Sequence, residues 1–329
     1  MTAEPAGPIF IGGPDRCGKT LVAALLGSHS RIAIPVVGSN VWTLFYGRFG
    51  DLEVDANFDR CLAALMAYKH IRFLDPDEAR LRQALRRGGR TYARLFAAIQ
   101  AQHAERLAKP RWGDQTGLVE AYADEIFAAY RGVRMIHMVR DPRDRYDASL
   151  SLWPEGKLRA GGATARWLYS VRLAEQNAAR YGDSYRIQHY EALVHDPEAT
   201  IRELCAFVGE AFEPAMMEMG DMPTYRAKLE AGRSRSSAGP LISDAFVGIF
   251  RGRLAPAELA FMQSRAGSTM RRHGYALEQV QMGNVARLRY LALDWPLDAL
   301  RLAAWRARTI VSRIAPRFAG RQPPRRHLA

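Results

Sequence analysis

The chain has 329 residues, 48% of them hydrophobic and 25% charged, with a formal net charge of +13. That composition suits a globular protein with a sizeable core and excludes a low-complexity, collagenous or disordered chain. Only five of the 47 basic residues are lysines, and from Gln279 onward ten arginines face two aspartates, so most of the excess charge lies in the last 51 residues.

Cys17, Cys61 and Cys205 are an odd number at unrelated spacings, which argues against a disulfide framework or a zinc site. The opening MTAEPAGPIFIGG has neither a basic n-region nor a long apolar h-region, and no apolar run approaches the length of a membrane span. A cytoplasmic protein is expected.

In chain order, short apolar runs predict strands at 9–11, 32–34, 135–139 and 185–189. Helical periodicity predicts helices at 18–28, 56–69, 76–107 with a break at Gly88 and Gly89, 118–130, 143–152, 160–181, 197–209 and 255–273, the last closed by Gly274. Strands alternating with helices imply an α/β fold, a parallel sheet flanked by helices, over residues 1–278. The segment 232–240, GRSRSSAGP, reads as a loop. A basic amphipathic extension occupies 279–329, where a helix over 297–314 puts Leu297, Leu300, Ala304, Ala307, Val311 and Ile314 on one arc. That arc either docks the helix on the domain or lies on an anionic membrane, peripherally on its inner face, with RQPPRRHLA as a cationic end.

Two stretches carry chemistry. GPDRCGKT at 13–20 fits G-x-x-x-x-G-K-[ST] in full, a strand-to-helix loop whose N–H groups cradle a phosphate. RMIHMVRDPRDRYDASLS at 134–151 is a buried-type strand ending in Arg140, with Pro142 at the start of a helix. Both sites fall at the carboxyl edge of the sheet, where open α/β folds bind ligands. Two anion sites on one edge suit a nucleotide with phosphate at two positions. A magnesium-dependent kinase expects a strand ending in an acid. Here the strand ends in Arg140, which can pair with a phosphate bidentately and without metal.

Four motifs in order, PDRCGKT, RDPRD, HYEALVHDPEATIRELCAFVGE at 189–210, and FRGRLAP followed by HGY at 273–275, resemble the sulfotransferases that use 3'-phosphoadenosine 5'-phosphosulfate (PAPS), in particular the bacterial and tyrosylprotein-type family. The likeness runs from about residue 8 to 275. It implies a P-loop fold and PAPS as co-substrate, with no metal. The 5'-phosphosulfate would lie on Arg16, Cys17, Gly18, Lys19 and Thr20, the 3'-phosphate on Arg140 and Ser149, and the adenine against Tyr190. Lys19 or Arg16 would stabilise charge on the bridging oxygen.

There are two departures from the family pattern. The 3'-phosphate serine is expected at Ala148 but stands one residue later, at Ser149, a rotation of about 100° on a helix. The glutamate that serves many relatives as proton acceptor is replaced by Gly38 in PVVGSNVW. Asp114, in PRWGDQT, is the first substitute, ahead of Glu53, Asp51 and His29. Cys17 reads as a small tolerated residue or a reactive thiol, Trp42, Phe45, Tyr46 and Phe49 as core or as an acceptor pocket, and His137 as a core histidine.

The leading reading is sulfuryl transfer from PAPS to a hydroxyl or amine of a carbohydrate, lipid or small metabolite. The alternatives are a Mg-ATP-dependent small-molecule kinase and a non-catalytic, membrane-associated nucleotide binder. Nucleic acid is not an expected partner, because no aromatic and basic reading surface accompanies the charge.

Overall fold

The computed structural model describes residues 6–150, 159–232 and 242–314. Five parallel strands, β1 (Ile9–Gly12), β2 (Ile32–Ala33), β3 (Arg111–Gln115), β4 (Arg134–Val139) and β5 (Tyr185–His189), form one sheet in the order β2-β3-β1-β4-β5. The helices of the first half are α1 (Lys19–Gly27), α2 (Val41–Leu44), α3 (Asp55–Ala67), α4 (Lys69–Leu74), α5 (Glu78–Arg86), α6 (Tyr92–Arg106) and α7 (Ala123–Ala129). Those of the second half are α8 (Pro142–Leu150), α9 (Arg159–Tyr181), α10 (Tyr190–His195), α11 (Pro197–Val208), α12 (Pro223–Gly232), α13 (Pro256–Arg272), α14 (Asn284–Arg289) and α15 (Trp295–Ile314).

Alternation along the strands builds a core on each face of the sheet. Ile9 and Ile11 of β1, with Ile136 and Met138 of β4, join Leu25 of α1 and Leu204 of α11 on one face. Phe10 and Met135 point the other way, toward Leu62 of α3 and Phe96 of α6.

The expected helices are present to within a few residues, and α3 and α4 divide where Tyr68 is extended. Strand β3 had no expectation, because RWGDQ contains no apolar run. It is buried nonetheless, since each polar side chain has an acceptor or donor in reach. Arg111 donates to Gly7 O at 2.6 Å and Val208 O at 2.5 Å, and Gln115 donates to Val36 O at 2.7 Å. Nearly all of the expected loop 232–240, and the end 321–329, lie outside the described residues.

The C-terminal helix docks on α9, but not through the expected arc. Leu302 and Asp298 are buried and Trp305 is partly so, whereas Leu297 and Leu300 are 48% and 66% exposed. Leu302 stands two residues, about 200°, from Leu300. The reason lies at the start of α9, where Gly161 has an N–H without an intrahelical acceptor. That N–H donates to Asp298 Oδ1 at 3.1 Å, and the glycine lets the two backbones touch. Farther along, the rings of Tyr169 and Trp305 pack edge to face at 5.5 Å.

A side chain at position 161 would overlap Asp298 O. Gly161→Val is therefore expected to cost about 1–3 kcal/mol of stability through overpacking. Thermal unfolding should show a lower midpoint, and limited trypsin digestion should cut faster between Arg287 and Arg308.

Candidate active site

Strands β1 and β4 are neighbours, with Gly12 paired to His137, so the loop leaving β1 and the residues Met138 to Arg140 share one edge. Gly13 has φ 113°, and a Cβ there would overlap Met138 O. Its N–H donates to Glu120 Oε2 at 2.9 Å. Glu120 is 1% exposed and ends a buried chain of hydrogen bonds. Ser170 Oγ donates to Glu120 Oε1 at 2.5 Å, so Ser170 accepts from His137 Nε2 at 3.0 Å, and His137 Nδ1 accepts from Tyr185 Oη at 2.6 Å. Burial holds His137 below its usual pKa, and the neutral ring suits this chain. The expected core histidine is thus part of a network that anchors the phosphate loop.

Around the loop stand Lys19, Arg140, Arg145 and Arg166, with Arg16 exposed at the turn. Lys19 Nζ donates to Pro14 O at 2.5 Å. Asp15 is the counter-charge, with Arg145 Nη1 3.2 Å from one carboxylate oxygen and Arg166 Nε 2.8 Å from the other. Burial alone would raise the Asp15 pKa, but Arg145, Arg166 and Lys19 overcome it and lower it from 3.8 to about 2. One carboxylate does not saturate these cations. Arg140 Nε and Arg145 Nε are buried and, among the described residues, have no hydrogen-bond acceptor. Buried guanidinium N–H groups left in this way fit an anionic ligand.

Arg140, Tyr190 and the loop come together as expected. The Arg140 guanidinium lies 4.4 Å from the centroid of the Tyr190 ring and donates to Arg16 O at 3.1 Å and Phe246 O at 2.7 Å. Gly18 has φ 96°, and a Cβ there would come within 2.6 Å of Tyr190. Thr20 opens α1 beside Lys19 and is partly exposed, with an N–H that has no intrahelical acceptor. Cys17 offers only its backbone, because its thiol is buried, donates to Pro14 O at 2.8 Å and is pushed up in pKa by burial. The buried hydroxyl of Ser149 donates to Tyr146 O at 2.7 Å in its own helix. The Asp144 carboxylate accepts from Gly248 and Phe250 N–H at 2.6 and 3.0 Å, fastening the loop that supplies Phe246 O.

On the β3 side, Asp114 is 1% exposed and accepts from Ser39 N at 3.1 Å, from Thr116 Oγ1 at 3.1 Å and from Ser39 Oγ. Its pKa is raised by burial against these bonds. Its carboxylate therefore holds the turn after β2. Gly38 packs on Gln115 O so closely that a side chain there would overlap it, so this backbone has no room for a glutamate. The weaker candidates lie elsewhere. His29 follows the far end of α1, roughly 15 Å along the helix, and bonds Ala211 O at 2.9 Å. Asp51 accepts from Glu53 N and Glu53 from Arg90 N, so both hold a surface turn. Trp42 and Phe45 are core, although Trp42 and Tyr46 also border an open cavity of about 740 Å³ with Tyr92 and Tyr130. Asp141 caps α8, accepting from Arg143 N at 2.9 Å and pairing with its guanidinium at 2.7 Å.

Asp15, Glu120, Arg145 and Arg166 had no expectation. Asp15 and Arg145 lay inside the two motifs, whereas Glu120 and Arg166 carry no local signal.

The Asp15 carboxylate is held below its ordinary pKa, so its contribution to stability is present above pH 4 and lost as pH falls toward 2. Relative to Asp15→Asn, the native protein should be more stable by about 2 kcal/mol at pH 7, with the gap closing between pH 4 and 2. Denaturant unfolding across that range measures it. Glu120→Ala leaves the Gly13 N–H and Ser170 without their acceptor and should cost about 3–5 kcal/mol, read in the same unfolding experiment at pH 7.

The sulfotransferase family model matches residues 8–214, well over half the chain. Among solved structures, the sulfotransferase domain of the Synechococcus PCC 7002 olefin synthase is 20% identical, with a TM-score of 0.55 over 82% of this chain and 95% of that one. The sulfotransferase domain from the curacin biosynthetic pathway is 17% identical, with a TM-score of 0.50 over 83% and 99% of the two chains. Both share the fold. No curated protein sequence matches. With a phosphate loop and a strand-end arginine on one sheet edge, and with the family model covering both, the chain belongs to the sulfotransferase family.

Proposed function

We propose that the protein moves the sulfuryl group of PAPS to an acceptor hydroxyl. The observation that carries this reading is the pair of buried guanidinium Nε–H groups of Arg140 and Arg145, which have no acceptor among the described residues, beside a phosphate loop. Lys19, Thr20 and the backbone of residues 16–20 would hold the 5'-phosphosulfate. Arg140 would take the 3'-phosphate, and Tyr190 would lie against the base. Ser149 has no part in this scheme, since its hydroxyl is committed to Tyr146 O.

The acceptor oxygen forms a bond to sulfur as the bond from sulfur to the 5'-phosphate oxygen breaks. Adenosine 3',5'-bisphosphate leaves with that oxygen, and the acceptor proton passes to solvent or a base. Such a loose transition state asks for in-line positioning and positive charge on the leaving oxygen. Lys19 is the nearest cation by sequence position, and Arg16 is a second. The kinase reading is weaker, because the carboxylate at the end of β4, Asp141, is engaged by Arg143.

Calorimetric titration in EDTA should show binding of adenosine 3',5'-bisphosphate, weakened by about 10- to 100-fold in Arg140→Ala through loss of charged hydrogen bonds. Binding of ADP alone, and only with magnesium, would overturn the reading. Asp114 is assigned as a positioning residue for the turn at Ser39. Asp114→Asn should lower turnover while leaving bisphosphate affinity and the pH profile of kcat unchanged. Loss of the acid limb of that profile would instead make Asp114 the proton acceptor.

A further inference from the structure

No helix among the described residues is long and apolar enough to cross a membrane. Yet Val285, Leu288, Leu293, Leu297 and Leu300 are each between 48% and 84% exposed, and Val311 is 56% exposed. This row is not needed to hold α15 on the domain, because the opposite face does that through Asp298, Leu302 and Trp305. The helix therefore has two apolar sides, one docked and one facing outward. An outward apolar row of this length marks an interaction surface.

Charge narrows the occupant. Arg287, Arg289, Arg306 and Arg308 are exposed on the same two helices, and Arg301 is partly exposed. The only acids from Gln279 onward are Asp294 and Asp298, and Asp298 is buried against Gly161. The partner must be apolar at its centre and anionic around it. A second copy of this chain meets the first condition and fails the second, since a two-fold contact sets these arginines against each other. A bilayer with anionic headgroups meets both. Leucines enter the acyl boundary while the guanidiniums reach the phosphates on their long stems. The 20 residues of α15 span about 30 Å, enough to lie along a lipid surface.

We propose that the outward face of α14 and α15 docks the protein on an anionic lipid surface. This surface is independent of the sulfuryl-transfer reading. It shares a support with the phosphate loop, however, because α9 carries both Gly161, under Asp298, and Arg166, which pairs with Asp15.

The test is co-sedimentation of the full chain with phosphatidylglycerol and phosphatidylcholine mixed vesicles, and with phosphatidylcholine alone, at about 0.15 M salt. Binding to the anionic vesicles is expected, with a drop of about tenfold or more in partitioning for Leu297→Glu/Leu300→Glu. Thermal midpoint and bisphosphate binding should be unchanged in that variant, since both leucines are exposed. No binding by the native chain, or equal binding by native and variant, would overturn the proposal. So would a native dimer in sedimentation equilibrium that the variant dissociates. Failure of bisphosphate binding alongside normal vesicle binding would sink the sulfotransferase chemistry and leave this surface standing.

Discussion

Like charges gathered in a dry site repel unless something offsets them, and this constraint governs the centre of the molecule. Lys19, Arg140, Arg145 and Arg166 surround a loop only eight residues long. Asp15 offsets part of that charge from within the loop, and Glu120 anchors the loop from beneath through the Gly13 N–H. Among the described residues, Arg140 Nε and Arg145 Nε have no acceptor, so the positive charge at this edge is only partly offset. The placement of α9, of the buried network and of the 244–250 loop follows from holding these groups in position.

Helix α9 is where the requirements meet. Its first turns give Gly161 to the C-terminal helix and Ala163 O to Arg145. Arg166 faces Asp15, and the Trp167 indole donates to Arg140 O at 2.9 Å. Ser170 and Asn177 then reach Glu120 beneath the loop. A residue pattern with this many inward commitments has little freedom to be a simple amphipathic helix, and Gly161 in its first turn reflects close approach to Asp298 more than helix propensity.

What was legible depended on locality. The phosphate loop and Arg140 at a strand end are each readable from a few neighbouring residues, because strand periodicity and turn chemistry are local, whereas Tyr190 stood out only through the family resemblance. Strand β3 was not legible, since its polar side chains are satisfied by groups such as Val208 O and Ser39 that lie far off in sequence. Ser149 illustrates the same limit in reverse. It suits the motif by type, yet on α8 its hydroxyl meets Tyr146 O.

The sequence by itself determined the α/β class, the glycine-rich strand-to-helix loop, the strand-end arginine and the concentration of arginine toward the C-terminus, all of which follow from local spacing and composition. Only the tertiary structure decided that Asp15 would be matched by Arg166 from α9, that Glu120 would sit under Gly13, and that α15 would dock by the face opposite its more apolar arc. Each of these depends on partners tens to hundreds of residues away. The energy that selects them comes from pairing buried charges and unsatisfied N–H groups, and that pairing exists only once the sheet has brought the distant segments together.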